Sequence, residues 1–276
     1  MDVKAKEILL RAKKDVFSGN LGNNITAFKG DGLDFSEIAE YNYGDDVRKI
    51  NWKATAKADS LKVNIFNEER ELNIVLAFMV SGSVHFGSVK LKQDVIAEVL
   101  TLLAFSALKN DNKLQSIFFS SHEERFFQPT KSESIVYGLL DEALKIDVLK
   151  KEVDFGAFCD FINGVVKQKS LIFIVGDFYG DVDLSQIAHK NEVYALIVRD
   201  RFEESPSLNG SFELIDPNTL SSSEMVLDKK VAKEYEKLIA SHDKKLKEHF
   251  LKHQITYGKI YTDEDIFLRL SEILKG

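Results

Sequence analysis

The chain of 276 residues holds a single cysteine, Cys159, and only three prolines. One cysteine rules out an intramolecular disulfide and any zinc cage built from several thiolates, which fits a reducing compartment. So little proline leaves small room for disordered linkers. No run approaches the ~18–20 apolar residues that a membrane span requires. The longest apolar stretches, Ile74–Val80 and Leu171–Val175, have the length of strands. The opening Met1-Asp-Val-Lys-Ala-Lys-Glu lacks the charged-then-apolar layout of a signal peptide, so the expected location is cytoplasmic. Positive charge is also in deficit, with 37 basic against 44 acidic residues and a net charge of −7. Such a surface disfavours broad binding to nucleic acid or anionic membrane.

What is present is apolar bulk: 44% hydrophobic residues, 20 of them phenylalanine, enough for a sizeable core. Residues 2–17 read as an amphipathic helix, and 18–70 as an irregular β-rich segment with a short strand at Leu61–Phe66. From Glu71 onward, apolar strand-length runs alternate with helical patterns. Strands are expected at Leu72–Val80, Leu171–Val175, Val193–Val198 and Ile255–Tyr261, and a hairpin at Leu114–Ser120 with Arg125–Gln128. Helices are expected over Lys90–Lys109, Ser132–Ile146, Phe155–Lys167, Lys229–His253 and Asp263–Leu274, the last with Thr262 as N-cap. Phe212–Asp228 reads as two strands around Asp216-Pro217-Asn218. The fold class is α/β, a doubly wound and mostly parallel sheet flanked by helices, over residues 71–276, preceded by a β-rich portion in 1–70.

Such sheets place ligands at the carboxyl ends of their strands. Two loops qualify: Met79-Val80-Ser81-Gly82-Ser83 and Gly176-Asp177-Phe178. Two hydroxyls and a carboxylate are hard oxygen donors suited to magnesium. The plainer account makes the serines and Asp177 turn and cap residues. A second constellation is Tyr41-Asn-Tyr-Gly-Asp-Asp-Val-Arg-Lys-Ile-Asn-Trp52. Here Asp46 can cap the step that carries Arg48 and can take its guanidinium fork. One account is a structural turn stapled by an Asp–Arg pair with Trp52 packed beneath. The alternative is a metal-assisted hydrolase using Asp45, Asp46 and Asp177. His242, His249 and His253 share one long helix and read as a solvated face; that helix mixes acid with base, which argues against a nucleic-acid patch. No Walker-type or Gly-x-Gly-x-x-Gly loop occurs.

The stretch from Gly32 to Lys57, with its core Tyr41-x-x-Gly44-Asp45-Asp46-x-Arg48-x-Ile50-Asn51-Trp52, resembles the hallmark of the bacterial family catalogued as domain of unknown function 58. The resemblance continues through the Ser-Gly-Ser loop, the Gly-Asp-Phe loop, Tyr235 and Thr262-Asp263. It implies a von Willebrand factor A-like domain behind a small β-rich portion. It also implies a non-enzymatic partner of MoxR-type AAA+ ATPases in chaperone-like or maturation systems. In that fold a metal-ion-dependent adhesion site uses Asp-x-Ser-x-Ser, a threonine and a further aspartate. Ser81 and Ser83 match the serines, Asp177 the later aspartate, and Thr130, loosely aligned, the threonine. Met79 stands at the first aspartate, and a thioether is a poor magnesium ligand. The resemblance thus implies a degenerate site with weak affinity for magnesium. Ala39 and Asn51 also depart from the family's arginine and aspartate.

Overall fold

The computed structural model describes residues 3–18, 34–43, 45–58, 60–67, 71–206 and 210–275. Contacts divide the chain into two units, Met1–Ile25 with Asn73–Gly276, and Thr26–Leu72. Among the described residues, no helix is long and apolar enough to cross a membrane.

The larger unit is built on a six-stranded sheet. Its strands are β3 (Asn73–Met79), β4 (Lys113–Phe119), β5 (Glu123–Thr130), β6 (Leu171–Gly176), β7 (Glu192–Arg199) and β10 (Thr256–Tyr261), in the order β10-β7-β6-β3-β4-β5. Five run parallel, and β5 lies antiparallel on the edge beside β4. The residues dictate this placement. Six of the seven residues of β3 and all six of β6 are buried, the continuous apolar run of a strand covered on both faces. Pro129 falls in β5, where an edge strand tolerates a missing donor. The sheet is therefore mixed α/β and mostly parallel, as expected.

One face is covered by α2 (Lys92–Lys109), which carries the helices α1 (Val3–Ser18), α3 (Ser134–Lys145) and α6 (Ile266–Lys275). Ala5, Leu9, Ala12 and Val16, spaced at three and four residues, are the buried stripe of α1. This helix thus packs within the sheet-bearing unit, although the sequence grouped it with the β-rich segment. The core on the other face gathers Phe158, Cys159 and Ile162 of α4 (Phe155–Val165) with Leu246 and Phe250 of α5 (Lys229–Lys252). Burial and the nearby charges of Asp183 and Asp160 push the Cys159 thiol up to about 12, so it behaves as a core residue. Of the 24 residues of α5 only Leu246 and Phe250 are buried, so its first half rides in solvent. A separate two-stranded ribbon, β8 (Gly210–Ile215) with β9 (Ser222–Leu227), turns at Asp216-Pro217-Asn218 as expected.

In the smaller unit β1 (Asp34–Glu40) pairs antiparallel with β2 (Lys62–Asn67). The sequence reading located the second strand and not the first. Between them lie a 3-10 turn at Val47–Lys49 and a single helical turn at Trp52–Thr55.

Candidate functional site

The chain enters the sheet at β3, adds β4 and β5 on one side, then crosses to β6, β7 and β10 on the other. The reversal falls between β3 and β6, where a doubly wound sheet opens a crevice at its carboxyl ends. Ser81 and Ser83 follow β3, and Asp177 follows β6. The fold brings these three together. Asp177 Oδ2 accepts from Ser83 Oγ at 2.5 Å, Ser81 Oγ lies 3.5 Å from Oδ1, and the two hydroxyls are 2.9 Å apart.

Sequence reasoning missed the cation that sits among them. Lys92, the first residue of α2, is fully buried, and its ammonium donates to Asp177 Oδ2 at 3.1 Å and to both oxygens of Glu203 at 2.8 Å. A helix N-terminus repels positive charge and burial penalises it, so these two carboxylates are what hold Lys92 there. Burial pushes the Glu203 carboxyl above its ordinary value, against the pull of Lys92. Lys92 also lies over the Tyr179 ring, 5.2 Å from its centre, and the buried Arg199 guanidinium stacks on the same ring at 3.5 Å. The signal in the sequence was a lysine three and four residues before Val95 and Ile96, hence on the apolar face of a helix.

Beside this group a second carboxylate ties three strand-end loops. Asp200 accepts from the Ser88 backbone N–H at 2.7 Å, the Ser88 hydroxyl at 2.9 Å, the Thr262 hydroxyl at 2.5 Å and the Phe202 backbone N–H at 2.9 Å. Burial raises its pKa, and these hydrogen bonds outweigh burial, so the carboxyl titrates below the usual range. Thr262 is thus a donor to Asp200, and α6 begins later, at Ile266. The ribbon turn closes over the serine loop: a Cβ on Gly82 would stand 2.4 Å from Pro217 O.

The residues do not fit a divalent ion well. Met79, at the position of the first aspartate, is buried in the apolar core and lies against Gly176. Lys92 already engages Asp177 Oδ2. Thr130 pairs with Leu114 at the start of β4, the opposite end of the strands from Ser81, and its Oγ1 accepts from Ser132 N–H. Its match is therefore corrected: antiparallel β5 carries its last residue away from the crevice. Among the described residues no three His, Cys, Asp or Glu side chains gather as metal ligands.

In the smaller unit Asp45 Oδ2 accepts from Asn42 N–H at 2.7 Å. Asp46 caps the 3-10 turn and takes the Arg48 fork at 2.8–3.2 Å, which, with the Arg48 N–H, lowers its pKa to about 2. Gly44 lies outside the described residues. Trp52 does not pack beneath this turn: it is 68% exposed, and Tyr43 is fully exposed. Asn51 has a physical reason to replace aspartate, since its amide donates to Asn64 Oδ1 at 2.8 Å while its Oδ1 caps the turn through Ala54 N–H. The histidines of α5 are also not a solvated face. His242 Nε2 lies 2.9 Å from Phe178 O, and His249 Nε2 accepts from Leu184 N–H.

Uncharacterized proteins of Mycobacterium bovis and Mycobacterium tuberculosis are 23% identical over 229 residues, 80% of this chain and 72% of theirs. Similar solved structures include the conserved hypothetical protein BatB from Bacteroides thetaiotaomicron and an aerotolerance-related membrane protein from Bacteroides fragilis. Each is 12% identical, spans 74% of this chain and 97% of that chain, and has a TM-score of 0.47. The family described as Protein of unknown function DUF58 matches residues 37–245, from the β1 strand to the last turns of α5, and the chain belongs to it.

Proposed function

We propose that the chain is a non-enzymatic interaction module of the von Willebrand factor A-like kind. Its partner is a MoxR-type AAA+ ATPase in a cytoplasmic chaperone-like or maturation system. The observation that carries this reading is the exposure of Tyr43, Arg48 and Trp52 within the family motif. Tryptophan, tyrosine and arginine dominate binding energy at protein interfaces. A tryptophan left in water by its own turn offers apolar area without a use inside the unit. Asp46 holds the Arg48 guanidinium in one orientation, which lowers the ordering cost of a contact made through it. Asp177 and Ser81 are by contrast only 4% and 6% exposed. The surface that meets a partner is therefore the Tyr43–Trp52 segment rather than the Ser81–Asp177 cluster.

The test uses the full chain as bait against a purified MoxR-type ATPase from the same organism, with Mg-ATP present. Wild type retains the ATPase, and Trp52→Ala and Arg48→Ala lose it while keeping the wild-type circular dichroism spectrum. No binding by wild type, or equal binding by both variants, overturns the assignment.

A further inference from the structure

The crevice between β3 and β6 is where this fold would hold a divalent ion, yet the positive charge there belongs to the chain. The ammonium of Lys92 stands 3.1 Å from Asp177 Oδ2 and 2.8 Å from each oxygen of Glu203. Asp177 in turn accepts from Ser83 and lies within reach of Ser81. The ammonium therefore bridges the loop after β6 to the short helical turn at Arg201–Glu204 that follows β7, and reaches the serine loop through Asp177. That is the bridging a bound cation performs: it lets acidic loop ends approach without repulsion.

We infer that Lys92 is a permanent, tethered cation that replaces a divalent ion at the strand ends and makes the loop arrangement independent of metal. Three observations converge on it. Lys92 has no exposed surface, so its charge serves nothing but this cluster. It is the first residue of α2, where the positive end of the helix dipole disfavours a cation, so the helix itself does not account for the charge there. Met79 points its thioether into the apolar core, which removes the negative charge that a 2+ ion would require and a 1+ ion does not. Lys92 offsets one of the two charges of Asp177 and Glu203, and the nearby Arg199 guanidinium also acts on Glu203; a divalent ion added to the group would face Lys92 at close range. The inference concerns the isolated chain and does not rest on the partner proposal.

Removing the tether exposes the alternative. Lys92→Ala leaves two carboxylates, two hydroxyls and the volume of a lysine side chain, a set of hard donors with room for ion-bound water. Mn²⁺ serves as the probe, its free concentration followed by electron paramagnetic resonance. Wild type leaves the Mn²⁺ signal unchanged at millimolar ion, and its Tm is the same in Mg²⁺ and in EDTA. Lys92→Ala takes up Mn²⁺ and gains Tm with it saturably, and adding Asp177→Ala in that background abolishes both effects. Uptake of Mn²⁺ by wild type that Asp177→Ala removes overturns the inference, as does a folded Lys92→Ala that takes up none. Should Lys92→Ala fail to fold in either condition, the wild-type titration decides alone.

Discussion

The two places that carry the chain's polar residues are built in opposite ways. At the strand ends, Ser81, Ser83, Lys92, Asp177 and Glu203 are joined by contacts that span 85, 94 and 111 residues of sequence and meet in a largely buried cluster around one ammonium. In the Tyr43–Trp52 segment the carboxylates make local contacts, Asp45 to Asn42 and Asp46 to Arg48, and only its last residues reach across to β2, Asn51 to Asn64 and Ile50 to Val63. There Arg48 and Trp52 face water. The first arrangement requires the sheet and holds its loops in place; the second is a turn anchored at its end to β2, and leaves Arg48 and Trp52 exposed. Substitutions in the first are therefore expected to act on stability, and those at the exposed Arg48 and Trp52 to leave it unchanged.

The largest effect follows from breaking the buried cluster on one side. Lys92→Met keeps the shape and removes the charge, leaving Asp177 and Glu203 buried with no cation between them. Loss of one partner of a buried ion pair costs about 3–5 kcal/mol, and for a chain of this size that lowers Tm by roughly 10 °C. Thermal melting followed by circular dichroism measures it. Arg48→Ala in the same assay keeps the wild-type midpoint. A comparable fall for both variants would erase the distinction between the two regions.

Next in size is the closure of the ribbon turn over the serine loop. A methyl group on Gly82 would press on the backbone at Pro217, which cannot rotate aside as a side chain can. Gly82→Ala should cost about 1–3 kcal/mol by overpacking and speed amide exchange across Gly210–Leu227. Gly164, a residue of α4 with nothing within 4 Å of its would-be Cβ, provides the control. There alanine is neutral or stabilising, by about 0.5–1 kcal/mol.

How much of this was legible beforehand follows the same division. The parallel strands announced themselves through continuous apolar runs, because a strand buried on both faces admits little else. Ser81, Ser83 and Asp177 were legible as strand-end residues, since a doubly wound sheet brings such ends together whatever the sequence between them. Of Lys92 only its place on the apolar face of a helix was legible, and of Glu203 nothing. Their pairing depends on how α2 and the turn after β7 lie across the crevice, and nothing local in either segment states it. Thr130 was misplaced because its position depends on the direction of β5, and it is the antiparallel hairpin that sends it to the far end. Trp52 was misread for a different reason. Aromatic character usually signals burial, and only the geometry of the short turn at Trp52–Thr55 shows that the ring is left outside.

A smaller and pH-dependent effect sharpens the picture at the strand ends. Asp200 is held below the usual carboxylate range by donors from three loops. Because its folded pKa lies below the unfolded one, near 3.9, its contribution is present above that unfolded value. It is lost as pH falls through the lowered folded pKa. Asp200→Asn gives up the charge-assisted hydrogen bonds, so its urea midpoint falls below wild type at neutral pH. The gap closes in acid, where wild type is protonated too. A gap that widened in acid would mean that the Asp200 charge opposes the fold.

The smallest effect is expected at Asp46, and it tests the local character of the second region. Its carboxyl titrates at about 2 because the Arg48 side chain and backbone N–H both donate to it. The sign is that of a lowered carboxylate: the staple is intact above the ordinary value and opens as pH falls through about 2. Arg48→Ala removes the larger of these influences, so the carboxyl should move up toward the usual aspartate range. Carbon-13 shifts of the side-chain carboxyl, followed by NMR through an acid titration, report that movement directly. Because the partner of the group is two residues away, the resonances of β3 and β6 should not respond to the same substitution. Shifts spreading into those strands would show that the turn is wired into the core, and that its exposed side chains also serve the fold.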